Sequence, residues 1–589
     1  MKNRRKLLLY FLPILLLMTA LILLLTSRLR FLRFCDNLFQ EEMKSNALTL
    51  HYTLSDENAY GIETGELTLG SFEKNLSEEK RWLNKKLLLL KTISEKVLPF
   101  DLQMEYDKLS YSLKTQLEGC NFPLLEEPLV PSTGIQSQLP ILLAEYTFTD
   151  ESDVQTYLQI LSCIPDYFDS LISYETSKIH SGLFIDPETC NELITYCEEF
   201  LSNKETHFLT ETFVSRLSAL NLGTAKTSDY LQKNQEALHT FVYPSYEKLC
   251  DFLKLHKQEG TITDGLYYIP DGTDYYAWLL RSEIGCEKSF EEIESILETA
   301  LKKDASIIAK LTKEHPDLLK DRYAIHFDTS NPVALTTYLS KRAEHDFPKV
   351  RKVSVELSNV PSSMEEHLSP AFYLVPPIDD WEHNVIYLNQ RSLEKGLSLF
   401  TTLAHESYPG HLYQTIYENS TNPHPVQRLL YFGGYIEGWG TYAEQMSYFY
   451  APISKEMATL LSSIRSMTLN LYSHLDLYIH AYGWTEEDCT AYLKKYGITN
   501  AQSVHQMYLL TKQQPANYLK YYLGYLEICA LKEQARNCLG SAFDLKEFHE
   551  FVLTYGPAPF SLLESYLQNW LREQQQGFSA MENPLIFLK

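Results

Sequence analysis

The chain has 589 residues, of which 44% are hydrophobic and 22% are charged, and this is enough apolar material for a large globular body. Its formal net charge of −24 at pH 7 argues against a nucleic-acid-binding protein, because phosphates require a basic surface. We therefore expect no nucleic-acid partner.

The first predicted element is a membrane anchor. Leu7 to Ser27 is a run of 21 residues without a charge, long enough to cross a hydrocarbon core of about 30 Å. A cleaved signal peptide would usually have a shorter apolar stretch and small residues at its exit. Cys35 could suggest a lipoprotein, but bulky Arg33 and Phe34 precede it. The sequence predicts an uncleaved signal-anchor within residues 1–34, a single pass through the cell membrane, and a body outside the cytoplasm.

The charge of the body differs from that of the anchor. Lys2 to Arg33 holds seven basic residues and no acidic ones, so the remainder carries a net charge of −31. Anionic lipid head groups would repel such a body. We therefore expect one N-terminal helix to make the whole contact with the membrane.

Most of the chain after the anchor has helical periodicity. Apolar residues recur at intervals of three and four in several segments, namely 78–96, 153–177, 290–311, 456–480 and 541–553. No fixed repeat or sharp change in composition is found. We divide the chain into residues 1–34, a helical part at 35–335 and a second helical part at 336–589 that contains the candidate catalytic motif described below, although the last two could also form one structural unit.

Two short segments favour β-structure instead. Residues 371–375 and 384–389 are rich in β-branched and aromatic side chains and are separated by Pro376-Pro377. They predict a small hairpin or sheet just before the motif described next. Such an edge can hold an extended peptide by backbone hydrogen bonds, with Tyr387 and Asn389 as candidate substrate contacts. The alternative is a structural hairpin with a buried edge.

The motif that follows is His405-Glu406-Ser407-Tyr408-Pro409-Gly410-His411, with Glu437 26 residues further on. Two His and one Glu suit a catalytic zinc, because they leave a fourth position for water, and Glu406 could deprotonate that water. The two His are six residues apart, however, which turns them by roughly 240° on an ideal helix.

Pro409 and Gly410 offer a solution to this spacing. Proline cannot donate to the carbonyl four residues back, and glycine accepts backbone conformations closed to other residues. A broken turn could bring His411 back over His405. The alternative is a helix that ends at Pro409 and leaves His411 in an unrelated loop.

A second acid lies on the same helical face as Glu437. Glu444 is seven residues later, about −20° around a helix. It could orient a ligand His from the second shell, or it could replace Glu437 as the ligand.

The motifs together resemble the bacterial family labelled domain of unknown function 885, whose hallmark is His-Glu-x-x-Pro-Gly-His-x-x-Gln. Residues 405–414 match that hallmark in full, and residues 437–444 match its Glu-Gly-Trp block. A third block looks like residues 476–484, which contain Asp476 and His480. A fourth, Pro-Gly-Gln-x-x-x-Tyr-x-x-Gly, corresponds to residues 515–524, where Ala516-Asn517 replaces Gly-Gln.

The family is grouped with helical zinc peptidases of the gluzincin type, which implies a mostly α fold with a cleft and one zinc ion. Gluzincin-like spacing favours Glu437 as the third ligand. Tyr521 and His480 fall in family blocks and are candidate oxyanion donors. His480 could equally be a structural histidine, held by Asp476 on the same helical face. Arg465 could bind a substrate carboxylate or form a surface ion pair.

These features predict a membrane-anchored zinc metallopeptidase that hydrolyses peptides outside the cytoplasm. One alternative is a non-catalytic metal- or peptide-binding protein, which the His spacing and Ala516-Asn517 would favour. Another is a zinc hydrolase of other amides or esters. The sequence gives no exo- or endo-specificity and no oligomeric state.

Overall fold

The computed structural model describes residues 24–582, except for positions 64, 74, 203, 205–206, 322–324, 326, 328–329, 361–364, 366–368 and 394. The predicted anchor at Leu7–Ser27 therefore lies outside the described residues, apart from its last four positions. Within the part that is described, no helix is both long enough and apolar enough to cross a bilayer.

The fold is mostly helical, as the periodicity predicted. Helix α1 runs through residues 24–43. The helices before the sheet are α2 (Ala47–Thr53), α3 (Leu76–Lys91), α4 (Phe100–Gly119), α5 (Ile135–Glu145), α6 (Glu151–His180), α7 (Pro187–Ser202), α8 (Phe208–Ala219), α9 (Thr224–Ala237), α10 (Tyr243–His256), α11 (Gly272–Leu279), α12 (Phe290–Glu314), α13 (Leu318–Asp321) and α14 (Pro332–Asp346). Those after the sheet are α15 (Leu397–Glu406), α16 (His411–Ser420), α17 (Gly433–Ser447), α18 (Lys455–Tyr482), α19 (Glu486–Lys494), α20 (Ala501–Gln513), α21 (Asn517–Leu539), α22 (Leu545–Tyr555) and α23 (Phe560–Glu582).

Local capping explains where several of these helices begin. The Asp150 and Asp153 side chains form a capping box at the start of α6, and Ser289 with Glu292 does the same for α12. Asp544 caps α22, so that helix begins at Leu545 and not at the predicted residue 541. Caps of this kind satisfy backbone N–H groups that have no partner within the helix.

The sheet has three strands in the order β1-β3-β2. The two predicted strands form as β2 (Ala371–Leu374) and β3 (His383–Leu388), which pair antiparallel. A third strand, β1 (Ser354–Asn359), pairs parallel to β3 and was not predicted, because its sequence has few β-branched or aromatic residues. The strand at the edge beside α15 is therefore β2, with β3 in the centre.

The buried apolar side chains form three clusters. The largest extends from Phe31 in α1 to Leu571 in α23 and includes residues from both sides of position 335. The second lies mainly among α5–α10, and the third links α18, α19 and α20. The domain boundary near residue 335 stays a prediction. None of the ten cysteines forms a disulfide bond, and most are buried, consistent with the role of small apolar residues.

A close crossing of α17 and α21 lies at the centre of the largest cluster. A Cβ atom on Gly524 would come within 1.9 Å of the Gly434 carbonyl oxygen. A Cβ on Gly438 would lie 2.4 Å from the Gly524 carbonyl carbon. Only glycine permits backbones to approach this closely, so these three residues fix the distance between the two helices.

We expect Gly524→Ala to destabilise the fold by about 1–3 kcal/mol or more, because the added methyl group forces α17 and α21 apart. Urea denaturation of the detergent-solubilised chain measures this change. Gly65→Ala is the matched control, since a Cβ there meets no atom within 4 Å. Equal unfolding midpoints for the two variants would contradict the close crossing.

Candidate metal centre

The chain leaves the helical path between the two histidines. His405 and Glu406 end α15, and His411 begins α16. The connecting residues contain a cis Tyr408–Pro409 peptide bond. The His411 Nε2 atom lies 3.1 Å from His405 Nε2, so the expected convergence of the two rings is observed.

Glycine is required in this turn. A Cβ on Gly410 would lie 1.7 Å from the carbonyl oxygen of His405. The backbone of the turn therefore folds back directly onto the end of α15. This return allows a six-residue spacing to bring two imidazoles together.

Helix α17 packs against the turn. The fully buried Trp439 donates a hydrogen bond from Nε1 to the Pro409 carbonyl oxygen at 2.8 Å. A Cβ on Gly440 would lie 2.7 Å from His405 Nε2 and 2.9 Å from His411 Cε1. Trp439 thus holds the turn, and Gly440 leaves the space that both rings occupy.

Glu437 lies on the same helix and completes the cluster. Its Oε2 atom is 3.5 Å from His405 Nε2 and 3.4 Å from His411 Nε2. One ligand atom from each of the three residues lies within 4.8 Å of the others. Two imidazole nitrogens and one carboxylate oxygen form a donor set that fits a single divalent cation.

Glu444 approaches His405 from the opposite side. Its Oε2 atom is 3.8 Å from His405 Nδ1, the ring nitrogen that faces away from Glu437. Arg465 holds this carboxylate, with Nε 2.7 Å from Oε1 and Nη2 3.3 Å from Oε2. Glu444 is thus in position to orient the imidazole, as carboxylates beside ligand histidines do. Arg465 thus forms an ion pair with Glu444, and its assignment to a substrate carboxylate stays a prediction.

The electrostatics of the cluster favour a cation. Burial alone would lower the pKa of His405, but hydrogen bonds to Glu437 and Glu444 raise it to about 10. Burial would raise the pKa of Glu437, but His405 and His411 hold it far below its ordinary value. The two carboxylates thus favour positive charge at His405, which a proton or a bound cation can supply.

Glu406 lies between the histidines and the sheet. Its Oε2 atom accepts a hydrogen bond from the backbone N–H of Tyr373 on β2 at 3.0 Å. Burial raises its pKa, against the opposing effect of His405 and His411. The carboxylate is therefore fixed at the outer edge of β2 with a raised proton affinity.

Tyr521 lies beside the cluster on α21, with its ring centroid 6.3 Å from that of His405. Burial, then Glu437 and Glu406, raise its pKa well above the ordinary value, so its hydroxyl keeps its proton. Tyr522 points elsewhere and bonds Ser466 and Asn470.

Sequence reasoning missed Tyr431, whose pKa is raised by burial and then by Glu437. It lies between motifs in a chain with 41 tyrosines, so no sequence signal distinguished it.

The structure corrects the role predicted for His480. Its Nδ1 atom accepts from the Leu266 N–H at 3.2 Å, and its Nε2 donates to the Thr511 carbonyl oxygen at 3.1 Å. The side chain is 1% exposed, and burial lowers its pKa to about 4. Both ring nitrogens are occupied by backbone, so His480 is a neutral structural residue.

Asp476 also has a different role from the one predicted. It accepts hydrogen bonds from the N–H groups of Ala516, Tyr518 and Leu519, and from the Tyr276 hydroxyl. These bonds fix the N-terminus of α21, which carries Tyr521. Ala516 has a φ of +66°, so it adopts the left-handed conformation that glycine would adopt more readily.

The two predicted substrate contacts, Tyr387 in β3 and Asn389 just after it, also have partners within the protein. The Tyr387 hydroxyl donates to the Glu145 carboxylate, and its ring stacks on Phe372. Asn389 is fully buried, with Nδ2 2.7 Å from the Glu365 carbonyl oxygen. The error arose because β3 was taken as an edge strand of a hairpin, whereas β1 and β2 flank it.

A cavity of about 950 Å³ lies near Tyr521, and none of His405, Glu406, His411, Glu437 or Tyr521 lines it. Glu283, Asn517 and Lys520 are among the residues that line it. Lys520 Nζ lies 5.6 Å from the ring centroid of Tyr521. The cavity therefore extends from the neighbourhood of Tyr521 and provides space for a ligand of several residues.

We expect the stability of the chain to depend on pH through His480. An unfolded imidazole titrates near pH 6.5, whereas burial holds the folded one neutral to about pH 4, so acidification stabilises the unfolded state. Between pH 7.5 and pH 5, His480→Gln should lose about 2 kcal/mol less than the wild type, as measured by urea denaturation.

The half-buried His505 is the control for this prediction. Glu188 and Glu486 raise its pKa, so His505→Gln cannot reduce the loss of stability on acidification. Parallel pH dependences for the wild type and His480→Gln would show that His480 is not held neutral.

Comparisons with known proteins place this fold among bacterial proteins. No curated protein matches the chain. A putative lipoprotein from Colwellia psychrerythraea is 19% identical, with a TM-score of 0.81 over 93% of this chain and 99% of that one. A putative lipoprotein of unknown function from Shewanella oneidensis is 16% identical, with a TM-score of 0.60 over 91% and 99%. At these identities the likeness concerns the fold alone. The family described as Bacterial protein of unknown function (DUF885) matches residues 59–567, and the chain therefore belongs to this family.

Proposed function

We propose that this protein is a zinc-dependent metallopeptidase that is attached to the membrane and hydrolyses peptides outside the cytoplasm. The observation that carries the proposal is the convergence of His405, His411 and Glu437 beside Glu406. A helical metallopeptidase-like fold with a cleft is part of the same proposal.

The donor set supports zinc over the other common divalent ions. Imidazole nitrogens suit zinc, whereas magnesium and calcium prefer sites made of oxygen. His405, His411 and Glu437 would hold the ion, with Glu444 orienting His405. When bound, zinc would polarise the scissile carbonyl and lower the pKa of a water molecule.

Glu406 is suited to the proton transfers of peptide hydrolysis. Its buried carboxylate has a raised pKa, closer to neutrality than that of an exposed glutamate. It would take a proton from the attacking water and deliver it to the leaving amine. The bond from the Tyr373 N–H keeps one carboxylate oxygen in place and leaves the other for this work.

Tyr521 is the best placed donor for the oxyanion. It lies beside His405, and its hydroxyl remains protonated over the working pH range. A positioned hydrogen-bond donor stabilises the charge that develops on the carbonyl oxygen. The anchoring of α21 by Asp476 supports this role, because it fixes the position of Tyr521 along the helix.

The surroundings of the centre favour peptides as substrates. Glu406 already accepts from the Tyr373 N–H on the outer edge of β2, so the support for a peptide comes from the cavity near Tyr521, which has room for several residues. Its charged lining consists of one lysine, Lys520, and five glutamates, namely Glu73, Glu79, Glu126, Glu127 and Glu283. This balance favours peptides that carry positive charge.

Two observations bear on the attachment to the membrane. The structural neighbours are described as putative lipoproteins, which supports a location at the membrane. In this chain Cys35 is fully buried in the largest cluster, so its thiol is not accessible for a lipid. We therefore propose attachment through the apolar residues 7–27, with the body outside the cytoplasm.

The structure weakens the case for a non-catalytic protein. The six-residue spacing of the histidines is accommodated by the turn at Gly410. Ala516 adopts a left-handed conformation, which would suit the glycine of the family motif, and Asp476 binds its N–H. Neither departure from the usual motifs prevents the ligands from meeting.

Metal analysis and peptide cleavage test the roles of the ligands and of Glu406. We expect the purified full chain to contain one equivalent of zinc, and His411→Ala and Gly440→Ala to lose it. Glu406→Gln should keep the metal while cleavage of a mixed peptide library falls by about 10²- to 10⁴-fold, because the base is removed. Mass spectrometry of the library reports the cleavage sites.

The outcomes separate the components of the proposal. Zinc retained at one equivalent in both His411→Ala and Gly440→Ala would exclude this cluster as the metal site. Undiminished cleavage by Glu406→Gln would exclude Glu406 as the base. A chain that binds zinc and cleaves no peptide would favour the non-catalytic alternative.

Steady-state kinetics test the role of Tyr521. Tyr521→Phe removes only the hydroxyl, and we expect kcat to fall by about 10²- to 10³-fold with little change in KM. Tyr522→Phe is the matched control, because its hydroxyl bonds Ser466 and Asn470 and should affect stability without changing kcat. A kcat for Tyr521→Phe equal to that of the control would remove Tyr521 from the reaction.

A further inference from the structure

One end of the molecule differs in character from the rest, and we call it the basic pole. It consists of residues 24–33 at the start of α1 and residues 85–100 at the end of α3 and the start of α4. Arg30 Nη2 donates to Thr92 Oγ1 at 2.8 Å, which joins α1 to the end of α3. Further along, Trp82 Nε1 lies 3.0 Å from Glu41 Oε2, so the two helices run antiparallel. The start of α1 and the end of α3 therefore lie side by side.

The charge of this pole is opposite to that of the whole chain. Its two segments contain seven basic residues, Arg28, Arg30, Arg33, Lys85, Lys86, Lys91 and Lys96, and one acidic residue, Glu95. Lys86 is buried and pairs with Glu41, whereas the other six basic residues are exposed. In a protein of net charge −24, such local clustering gives this end a positive potential.

The same surface exposes large apolar side chains. On α1 these are Leu24, Leu25 and Leu29, and on α3 they are Leu88 and Leu89, with Phe100 at the start of α4. These six are more than a third of the sixteen large hydrophobic side chains that are exposed among the described residues. Leu88 is 66% exposed, although the neighbouring Leu87 and Leu90 are buried. Exposed apolar groups rimmed by basic ones mark a surface that meets another phase or partner.

The chain itself indicates which partner this is. Residues 7–23 precede α1 without a charged residue, so the proposed anchor enters the body at the basic pole. Phe31 and Cys35 in the following turns of α1 are fully buried. The helix that follows the anchor is therefore packed into the core, and the body has little freedom to swing away from the bilayer.

We propose that the basic pole lies on the membrane surface, with its leucines among the lipid chains and its Lys and Arg side chains among anionic phospholipid head groups. This inference rests on the membrane attachment in the proposed function. It replaces the expectation that the anchor makes the only contact, because that expectation used the net charge of the body. Charge acts locally, over a Debye length of about 8 Å in physiological salt.

Photocrosslinking of the full chain tests this placement. Benzoylphenylalanine replaces Leu88 in one variant and Leu255 on α10 in the control, and both are reconstituted in vesicles that contain phosphatidylglycerol. Leu255 is 74% exposed, so it matches Leu88 in accessibility. We expect several-fold more lipid adduct at position 88. Equal adducts at both positions, or a crosslink from position 88 to a second copy of the chain, would overturn the proposal.

A second arm tests the charge. In the position-88 variant, Lys91→Glu with Lys96→Glu should lower the yield of lipid adduct in phosphatidylglycerol vesicles. The same change should have little effect in vesicles of phosphatidylcholine alone. The control pair is Lys302→Glu with Lys313→Glu on α12, outside the basic pole. An adduct yield that both pairs lower equally would overturn the role of the basic residues.

Other measurements on the same samples keep this inference separate from the proposed function. If alkaline carbonate releases the full chain from the vesicles, both the proposed anchor and the proposed contact of the basic pole are contradicted. A chain that resists carbonate but gives no adduct at position 88 would overturn the placement alone. Zinc content and peptide cleavage report on the proposed metal centre. The absence of either would not contradict the proposed membrane contact.

Discussion

The site depends on the contact between α17 and the broken turn that joins α15 to α16. Gly440 leaves room for both imidazoles, and the Trp439 indole binds the Pro409 carbonyl oxygen. A larger residue at position 440 would push the rings apart, and loss of the indole would release the turn. Because Glu437 lies on the same helix, one rigid element sets the position of all three potential ligands.

The second constraint is the position of α21 relative to α17. Its crossing with α17 is fixed by glycine contacts, and its N-terminus is held by the buried Asp476. One constraint sets the distance between the helices and the other sets the position of α21 along its axis. Tyr521 consequently reaches the cluster although more than a hundred residues separate it from His405. Neither constraint involves the chemistry directly, although Gly438, Gly524 and Asp476 lie within the family motifs.

The sequence predicted elements whose signals are local. Apolar periodicity located α6, α12 and α18, and Pro409-Gly410 indicated that the His pair could converge across a break. The sequence did not distinguish catalytic from structural roles, because a motif does not show which partners a side chain contacts in the fold. His480 is bound by two backbone groups from distant segments. Asn389 was misassigned because the pairing of β1 with β3 is a long-range contact that periodicity cannot reveal.

The net charge is an average over the whole chain and does not describe the charge of a single face. The acidity of the whole chain argues against nucleic acid, yet it says little about any one face, since fields in salt solution decay within about 10 Å. The candidate metal centre and the basic pole are both local departures from the average. At the centre, burial opposes a charge on His405, yet hydrogen bonds to Glu437 and Glu444 raise its pKa to about 10. At the pole, six exposed basic side chains surround leucines that the core does not bury. A chain of this composition can therefore favour a divalent cation at one place and anionic lipid at another, because each partner responds to the few side chains within its reach.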